Sequence, residues 1–506
     1  MSHGRLPINA SPGPILRSET IDRLAATYYA YGMRYLLRVA PVLIAACVWA
    51  APPNLVLIMA DDLGPEWISS YGGEGIETPN IDKLAEGGMV FHNAYSMPQC
   101  TPTRITLLTG RYPFRHGWTN HWDVPRWGAG FHFDPTHNVS FARLLREVGY
   151  ATAIAGKWQV NDFRVQPDIL NRHGFDEWSM WTGGEGDNPP SNERYWDPYV
   201  YTNKEKSRTY EGQFGPDIFN DFLVDFVHRN RERPMLLYYP LALTHGPLVP
   251  TPHEPFAETA LEKHKAMVRY TDYLVGQLVK AFDDAGVREN TIVFFTTDNG
   301  TSRGIRGSLN GRPVQGGKGR LTENGPRAPF IVNGPGLVPA GVETDALTDF
   351  SDLLPTFCEL SGAPLPEGVE LDGKSIASVV LGKDQTGPRQ WILAMGAGAG
   401  LLDERGVRGV LDYAPRSIRD KRYKIQVHHG AVQSLHDLQE DPDETNNLLH
   451  SSSPHHVAAL KKLRALAESL PERDARPQYD PLPAQPWDVT IEDMRRRQPR
   501  APGTTN

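Results

Sequence analysis

Four apolar runs constrain the fold of this chain more than any other feature of its sequence. They span residues 54–60, 151–155, 235–239 and 291–297, and polar or charged residues follow each run. Short, continuous apolar runs are typical of parallel strands that are buried on both faces of a sheet. Because the carboxyl ends of parallel strands meet at one edge, we expect the polar residues behind these runs to share one site.

Helical patterns fill the intervals between the apolar runs. The predicted helices cover residues 78–87, 141–147, 217–231 and about 260–285. In the longest one, apolar residues recur at spacings of three and four, as in an amphipathic helix. Alternating strands and helices predict a wound sheet with helices on both faces. A chain of 506 residues also leaves room for a smaller second domain.

The character of the chain changes after about residue 385. Short strands of mixed polarity follow, and an amphipathic helix covers residues 454–470. The predicted fold class is α/β, with a wound, mixed and largely parallel sheet flanked by helices, plus a smaller C-terminal antiparallel-sheet subdomain with a helix. We expect the main domain at 51–385, the subdomain at 386–470 and an extended tail, rich in proline and charge, at 471–506.

Residues 1–50 have the pattern of a targeting segment. Basic residues near Met33 precede a short apolar stretch that ends at Trp49, which is typical of a signal peptide. We expect Met33 to be the true start, residues 1–32 to be over-called, and the mature protein to be exported, periplasmic or secreted. The stretch before Cys47 also resembles a bacterial lipobox, which leaves a lipid-anchored form as an alternative.

Composition narrows the choice of partners. A net charge of −8 gives no reason to expect nucleic acid, and no apolar run is long enough for a transmembrane segment. Three cysteines, Cys47, Cys100 and Cys358, exclude a disulfide framework. Cys358 lies in an apolar stretch and is expected to be a buried, unreactive thiol.

Oxygen donors follow two of the apolar runs. Asp61 and Asp62 come directly after the first run, and Asp298 and Asn299 come directly after the fourth. Adjacent acids are often solvated or cap a helix, but unpaired carboxylates directly after fully apolar strands would be costly. Hard oxygen ligands suit a six- or seven-coordinate Ca²⁺, with Mg²⁺ and Mn²⁺ as alternatives.

Cys100 begins a segment with the pattern of a short helix. Pro102 suits the first turn, and Thr101 or Thr103 is expected to cap the helix. The start of a helix carries the positive end of its dipole, which favours an anionic nucleophile or a bound anion at this position. Arg104 adds a positive charge one turn further on.

The pattern Cys100-x-Pro102-x-Arg104, followed by Thr109-Gly110, resembles the signature of the type I sulfatases of the alkaline-phosphatase-like superfamily. The glycine-rich loop around Lys318 and the segment 435–448 resemble later motifs of the same family, with the likeness covering roughly residues 51–450. The family usually has Ser or Ala where this chain has Thr103.

The resemblance implies a sulfuric ester hydrolase. Cys100 would be oxidised to formylglycine by a formylglycine-generating enzyme that acts on the unfolded chain, and the hydrated aldehyde would be the nucleophile. One Ca²⁺ per chain would be bound by Asp61, Asp62, Cys100, Asp298 and Asn299. The catalytic residues would be Cys100, Arg104, Lys157, His245 and Lys318.

Gln159 departs from the family pattern, which usually has histidine at this position. Glutamine can orient a hydroxyl group, but it cannot take a proton at neutral pH. Three alternatives follow: another base acts, such as His116, His121 or hydroxide held by the metal; turnover is slow; or the protein is a degenerate relative.

The substrate indicated by the sequence is a sulfated carbohydrate. Seven of the eleven tryptophans lie between residues 118 and 196, and aromatic faces suit sugar rings, although packing of long loops explains any single tryptophan equally well. We expect substrate contacts from Gln159, Arg303 and Arg312. One alternative is a phosphate or phosphonate monoester hydrolase of the same superfamily, which would usually need two metals. Another is a non-catalytic carbohydrate-binding relative.

Overall fold

The computed structural model of the protein describes residues 51–121, 132–182, 194–203, 205, 207–399, 401–403, 406–408, 412–483, 485–488 and 492. The predicted signal peptide, including Met33 and Cys47, lies outside the described residues. None of the helices in the described part of the chain combines the length and the apolar character that a bilayer span requires.

The main domain is built on one sheet, to which the described residues contribute ten strands. These are β1 (Asn54–Ala60), β2 (Gly88–Phe91), β3 (Ala151–Lys157), β4 (Glu177–Trp181), β5 (Tyr199–Thr202), β6 (Arg208–Thr209), β7 (Met235–Pro240), β8 (Thr291–Thr297), β9 (Phe330–Asn333) and β10 (Val342–Thr344). Their order across the sheet is β10-β2-β9-β8-β1-β7-β3-β4-β5-β6.

The four apolar runs form the parallel centre of this sheet. β1 lies between β7 and β8 and is parallel to both, while β3 is parallel to β7 and to β4. Antiparallel strands such as β9 and β5 lie towards the two margins. Ala60 pairs with Thr297, so the residues that follow β1 and β8 leave the sheet side by side. The prediction of a mixed, largely parallel sheet is confirmed.

Helices cover both faces of the sheet. They are α1 (Pro79–Glu86), α2 (Cys100–Thr109), α3 (Pro113–His116), α4 (Phe141–Glu147), α5 (Ile169–Arg172), α6 (Gly215–Asn230), α7 (Ala260–Asp284), α8 (Leu353–Ser361) and α9 (Ala377–Val380). Because successive side chains of a strand point to opposite faces, β1 contributes to two cores. Leu55 and Leu57 pack with residues of α2, α4 and α8, whereas Val56 and Ile58 pack with residues of α1, α6 and α7.

The longest helix, α7, is fixed at its start by a capping box. Thr259 accepts a hydrogen bond from the Glu262 amide, and the Glu262 side chain accepts one from the Thr259 amide. Its buried residues recur at spacings of three and four, as the sequence predicts.

The C-terminal subdomain is an antiparallel sheet with a helix, as predicted. Its strands β11 (Ile392–Met395), β12 (Arg416–Arg419), β13 (Tyr423–His428) and β14 (Ala431–Asp437) lie in this order, and α10 (Pro454–Ser469) packs against them. Its core includes Met97, Tyr112 and Phe114 of the main domain. The subdomain is therefore packed beside α2. Four pairs of short strands lie outside these two sheets: Ala94–Tyr95 with Thr348–Asp349, Asn120–His121 with Ala397–Ala399, Arg306–Leu309 with Arg312–Gln315, and Leu401–Asp403 with Gly406–Arg408. Short 3₁₀ helices cover Pro65–Trp67, Ser69–Tyr71, Arg288–Asn290 and Phe350–Asp352.

The described part of the tail crosses the main domain and stays in contact with it. Asp474 binds Arg416, and the Ala475 amide donates to Phe114 O at 2.8 Å. Further on, the Asp480 amide donates to Asp134 Oδ2 at 2.9 Å, and Trp487 Nε1 donates to Asp162 Oδ2 at 3.0 Å. The tail thus links the subdomain to the loop that follows β3.

We predict that Asp474→Ala lowers the free energy of unfolding by about 3–5 kcal/mol, because it leaves a buried guanidinium without its carboxylate. Arg416 Nη2 lies 2.6 Å from Asp474 Oδ1, and neither side chain is exposed. Urea titration measures the effect. The matched control is Asp412→Ala, which breaks the exposed pair between Asp412 and Arg476 and is expected to change little. Equal, small losses in both variants would contradict the prediction.

Candidate functional site

Helix α2 begins at Cys100, at the carboxyl edge of the sheet. The residue before it, Gln99, occupies the cap position, and no side chain caps the helix. The expectation that Thr101 or Thr103 acts as the cap is therefore wrong. The Thr103 hydroxyl lies 2.6 Å from Asp298 O and donates to it, which ties the helix to the end of β8 instead.

The Cys100 thiol is fully buried among polar groups from three strand ends. Sγ lies 3.4 Å from Asn299 Oδ1, 3.7 Å from Asp61 Oδ1 and 3.7 Å from Lys157 Nζ. Burial, together with the nearby Asp298 carboxylate, raises the pKa of the Cys100 thiol, although Lys157 acts in the opposite direction. The thiol is therefore neutral at physiological pH and is a poor nucleophile without modification.

The predicted oxygen donors converge beside Cys100. Asp61, Asp62, Asp298 and Asn299 are all buried. The Asp62 amide donates to Asp298 Oδ1 at 3.3 Å, and Asn299 Nδ2 donates to Asp62 Oδ1 at 2.7 Å. The alignment of Ala60 with Thr297 in the sheet produces this convergence.

Three cations neutralise the three carboxylates of this cluster. Lys157 Nζ lies 2.6 Å from Asp61 Oδ2, Lys318 Nζ lies 2.7 Å from Asp62 Oδ1, and Arg104 Nη2 lies 2.7 Å from Asp298 Oδ2. Because the three carboxylates are buried, solvent screens the Coulomb attraction within each pair less than it would at the surface. Arg104 also donates from Nη1 to Lys157 O at 2.8 Å, and so joins the ends of β3 and β8.

Burial and neighbouring charges shift the pKa values of the three acids in different directions. Burial alone would raise the pKa of Asp61, but Lys157, His245, Arg104 and Lys318 hold it well below its usual value. The pKa of Asp62 is also lowered: burial opposes this, but Lys318 and His245 outweigh it. Burial and the Asp61 charge raise the pKa of Asp298. Asp61 and Asp62 are therefore ionised at neutral pH.

These residues fit a hard divalent cation. Ligand atoms of Asp61, Asp62, Cys100 and His245 all lie within 4.8 Å of one another, which is close enough for one shared ion. The carboxylates and the Asn299 amide supply oxygens of the kind that Ca²⁺ prefers. An ion at this position would also relieve the repulsion between Asp61, Asp62 and Asp298.

His245 follows β7 and faces the same cluster. Its Nδ1 lies 2.7 Å from Gly246 O and its Nε2 lies 3.9 Å from Asp62 Oδ2. Burial lowers the pKa of His245 to about 3, with Lys157 and Lys318 contributing and Asp62 opposing. The imidazole is therefore neutral at physiological pH.

The glycine-rich loop carries Lys318 to the site. Burial would lower the pKa of Lys318, but Asp62 raises it above its usual value, so the ammonium group keeps its charge. Arg303 donates from Nε to Lys318 O at 2.7 Å and thereby positions the loop. Arg312 instead binds Asp443 at 2.5 Å and connects the main domain to the C-terminal subdomain. Substrate contacts by Arg303 and Arg312 stay predictions.

Gln159 lies two residues beyond Lys157, with a left-handed φ of 75°. Histidine tolerates this backbone conformation well, as do asparagine and aspartate. His116 is not a substitute base, because its ring is buried in the fold: Nε2 lies 3.1 Å from Thr106 Oγ1, and Nδ1 accepts a hydrogen bond from the Trp118 amide at 3.1 Å. Burial and Arg111 hold the pKa of His116 well below its usual value. His121 lies in a short strand, and its side chain is outside the described residues.

Most of the described tryptophans in the region 118–196 pack the fold. Trp118, Trp158, Trp178 and Trp181 are buried, whereas Trp196 is 36% exposed. Packing, the simpler of the two interpretations, is therefore correct for these four. Trp122 and Trp127 lie outside the described residues.

Sequence reasoning missed Tyr195. Its hydroxyl lies 2.7 Å from Ala242 O and 2.5 Å from His245 O, so it holds the loop that carries His245. A tyrosine in a polar segment far along the chain gives no signal of this role. Glu66 was missed for a similar reason: it is buried and accepts a 2.5 Å hydrogen bond from Thr301, which follows the metal-binding candidates.

Comparisons with known proteins agree with this arrangement. The family model described as Sulfatase matches residues 53–363, and the model described as N-sulphoglucosamine sulphohydrolase, C-terminal, matches residues 317–470. Arylsulfatase A of Homo sapiens is 32% identical, over 85% of this chain and 90% of its own length. N-acetylgalactosamine-6-sulfatase of Canis lupus familiaris is 33% identical, over 72% of each chain. The crystal structure of Ps i-CgsB in complex with k-i-k-neocarrahexaose superposes with a TM-score of 0.69 and 26% identity, covering 85% of this chain and 94% of that one.

Proposed function

The chain belongs to the sulfatase family of sulfate ester hydrolases, and we propose that it removes sulfate from a sulfated carbohydrate through a formylglycine at position 100 and one bound Ca²⁺. The observation that carries this proposal is the position of Cys100. It stands at the start of α2, within 3.7 Å of Asp61, Asn299 and Lys157.

Modification of Cys100 supplies the nucleophile. The neutral, buried thiol cannot serve, whereas formylglycine provides a hydrated aldehyde, whose second hydroxyl allows sulfate to leave again. Because the Cys100 side chain has no exposed surface, an enzyme cannot reach it in the folded protein. We therefore propose that a formylglycine-generating enzyme acts on the unfolded chain, and that the segment 33–49 exports the product.

Asp61, Asp62, Asp298, Asn299 and residue 100 would hold the calcium. When bound, Ca²⁺ supplies positive charge beside residue 100, which polarises the nucleophile and offsets charge on the sulfuryl group. Arg104 keeps Asp298 and the end of β3 in place through its hydrogen bonds to Asp298 and to Lys157 O. The resemblance implies a catalytic role for Arg104; we propose a positioning role instead, since Nη1 and Nη2 hold Lys157 O and Asp298.

Lys157 and Lys318 bind the sulfuryl oxygens in this proposal. Each ammonium group lies beside residue 100 or its acidic neighbours, and each would exchange a carboxylate partner for a sulfuryl oxygen. His245 protonates the departing alcohol. The negative charge of a bound sulfate raises the pKa of His245 from its low value in the free protein and allows the ring to carry that proton.

The relatives support a carbohydrate substrate. One is named N-acetylgalactosamine-6-sulfatase, and one solved structure is described as holding neocarrahexaose, an oligosaccharide. The described residues form one set of metal ligands at this edge of the sheet, which favours a sulfate ester over a phosphate monoester.

We expect Cys100→Ala to reduce sulfate release by about four orders of magnitude or more, since it removes the nucleophile. The matched control is Cys358→Ala. Cys358 is also a buried thiol, with a pKa raised to about 12 by burial, but it lies on α8, in the core that packs against one face of the sheet. Sulfate release is measured from sulfated saccharides and an aryl sulfate, and phosphate and phosphonate esters are assayed in parallel. Mass spectrometry of the peptide that contains residue 100 first establishes that the wild type and Cys358→Ala carry the aldehyde. Equal activity of Cys100→Ala and wild type, or faster phosphate release, would overturn the proposal.

We expect Gln159→His to raise kcat about tenfold or more, because an imidazole at this position can take a proton from the nucleophile. The rate of this variant should rise with pH through about 6.5, as the ring becomes neutral. Gln159→Asn is the control, because asparagine suits the left-handed backbone but transfers no proton. If Gln159→His and Gln159→Asn have the same rate and the same pH profile, position 159 has no part in proton transfer.

A further inference from the structure

Arg194 is a buried cation that has no carboxylate partner among the described residues. Its residue is only 2% exposed, and no hydrogen-bond partner is present for Nε or Nη1 among the described residues. The other deeply buried arginines differ in this respect. Arg104 pairs with Asp298, Arg389 with Asp352 and Arg416 with Asp474, each at 2.6–2.7 Å, and Arg419 pairs with Glu323 at 3.1 Å. A guanidinium excluded from water and left unpaired is costly, so an anion that reaches its free Nε and Nη1 would be stabilised there.

The position of Arg194 is next to the catalytic cluster. Its guanidinium carbon lies 4.3 Å from the centre of the Trp181 ring. Trp181 ends β4 and is the register partner of Lys157, which ends β3. Register partners on neighbouring parallel strands project from the same face, and such strands are about 4.8 Å apart. Arg194 is therefore stacked on a residue that is one strand away from the lysine beside Cys100.

Tyr195 connects Arg194 to the other side of the site. Its hydroxyl holds the His245 loop, and its carbonyl accepts a 2.6 Å hydrogen bond from the Gly215 amide at the start of α6. The phenol is close enough to Arg194, Asp61 and Asp62 for their charges to affect its pKa, which burial raises. Arg194 thus lies one residue away from Lys157 through Trp181, and one residue away through Tyr195 from His245, which would protonate the departing sugar oxygen.

We propose that Arg194 binds a second oxyanion of the substrate, a carboxylate or a further sulfate, on the saccharide that carries the scissile sulfate ester. This inference rests on the proposed function and specifies its substrate class as a saccharide with two or more negative groups. Nε and Nη1 give up no hydrogen bond to a described residue when they bind a ligand. Its planar guanidinium suits both kinds of oxyanion, and burial limits the screening of the resulting pair.

Calorimetry on the full chain tests this assignment without turnover. In a Cys100→Ala background, the ligands are N-acetylgalactosamine 6-sulfate, the same sugar linked to glucuronate, and N-acetylgalactosamine 4,6-disulfate. We expect at least one ligand with two negative groups to bind about tenfold or more tightly than the monosulfate. Arg194→Gln should reduce this ratio to about two or less, and the glucuronate and disulfate arms identify which oxyanion is bound.

Arg208→Gln is the matched control, because Arg208 also stacks on an aromatic ring, that of Tyr210, but on the exposed surface. It should leave the affinity ratio unchanged. Arg194→Lys, which keeps the charge but loses the planar fork, should retain part of the ratio and carries the test if Arg194→Gln does not fold. The assignment would be overturned if the protein with Arg194 intact bound the doubly charged ligands no more tightly than the monosulfate. An affinity ratio that does not change on Arg194 substitution would overturn it as well. Absence of sulfate release by wild type would instead contradict the proposed function alone.

Discussion

The structure depends on the burial of three carboxylates against three cations at one edge of the central sheet. Asp61, Asp62 and Asp298 have no appreciable exposure, and Lys157, Lys318 and Arg104 each lie within 2.7 Å of one of them. Such a cluster costs desolvation energy that its pairs only partly recover, so it is a poor device for stability alone. In the function that we propose, the cluster would hold a hard cation and an anionic substrate in a site with little water.

The backbone supplies the precision of this cluster. Alignment of β1 with β8 brings Asp61 beside Asp298, and the hydrogen bond from Thr103 to Asp298 O sets the start of α2 against the same edge. Arg104, one turn into α2, ties β3 to β8. The residue at position 100 is thus fixed by one helix and three strands. The tail and the C-terminal subdomain support this arrangement from the side of α2.

Much of the fold and the centre of the site follow from the sequence, because both depend on local patterns. Apolar runs identify buried parallel strands, and polar residues directly behind them are brought together by the sheet. Contacts between distant segments leave no such pattern. Tyr195 and Glu66 act through partners that only the folded chain brings near, and the burial of Arg194 is equally invisible in the sequence. The Thr101 or Thr103 cap was wrong because the helix already begins at Cys100, which places both threonines inside it, with Gln99 at the cap position. The number of tryptophans in a segment does not distinguish core packing from sugar binding, and several of these tryptophans are core residues.

Titration of Ca²⁺ into chelator-treated protein tests whether the cluster binds a divalent cation. Sulfate release from an aryl sulfate is followed during the titration. We expect the chelator to abolish sulfate release. The full rate should return when the protein is saturated with Ca²⁺, with one Ca²⁺ bound per chain. Parallel titrations with Mg²⁺ and Mn²⁺ should restore less. Full sulfate release from protein stripped of all divalent ions would show that the site works without a bound cation.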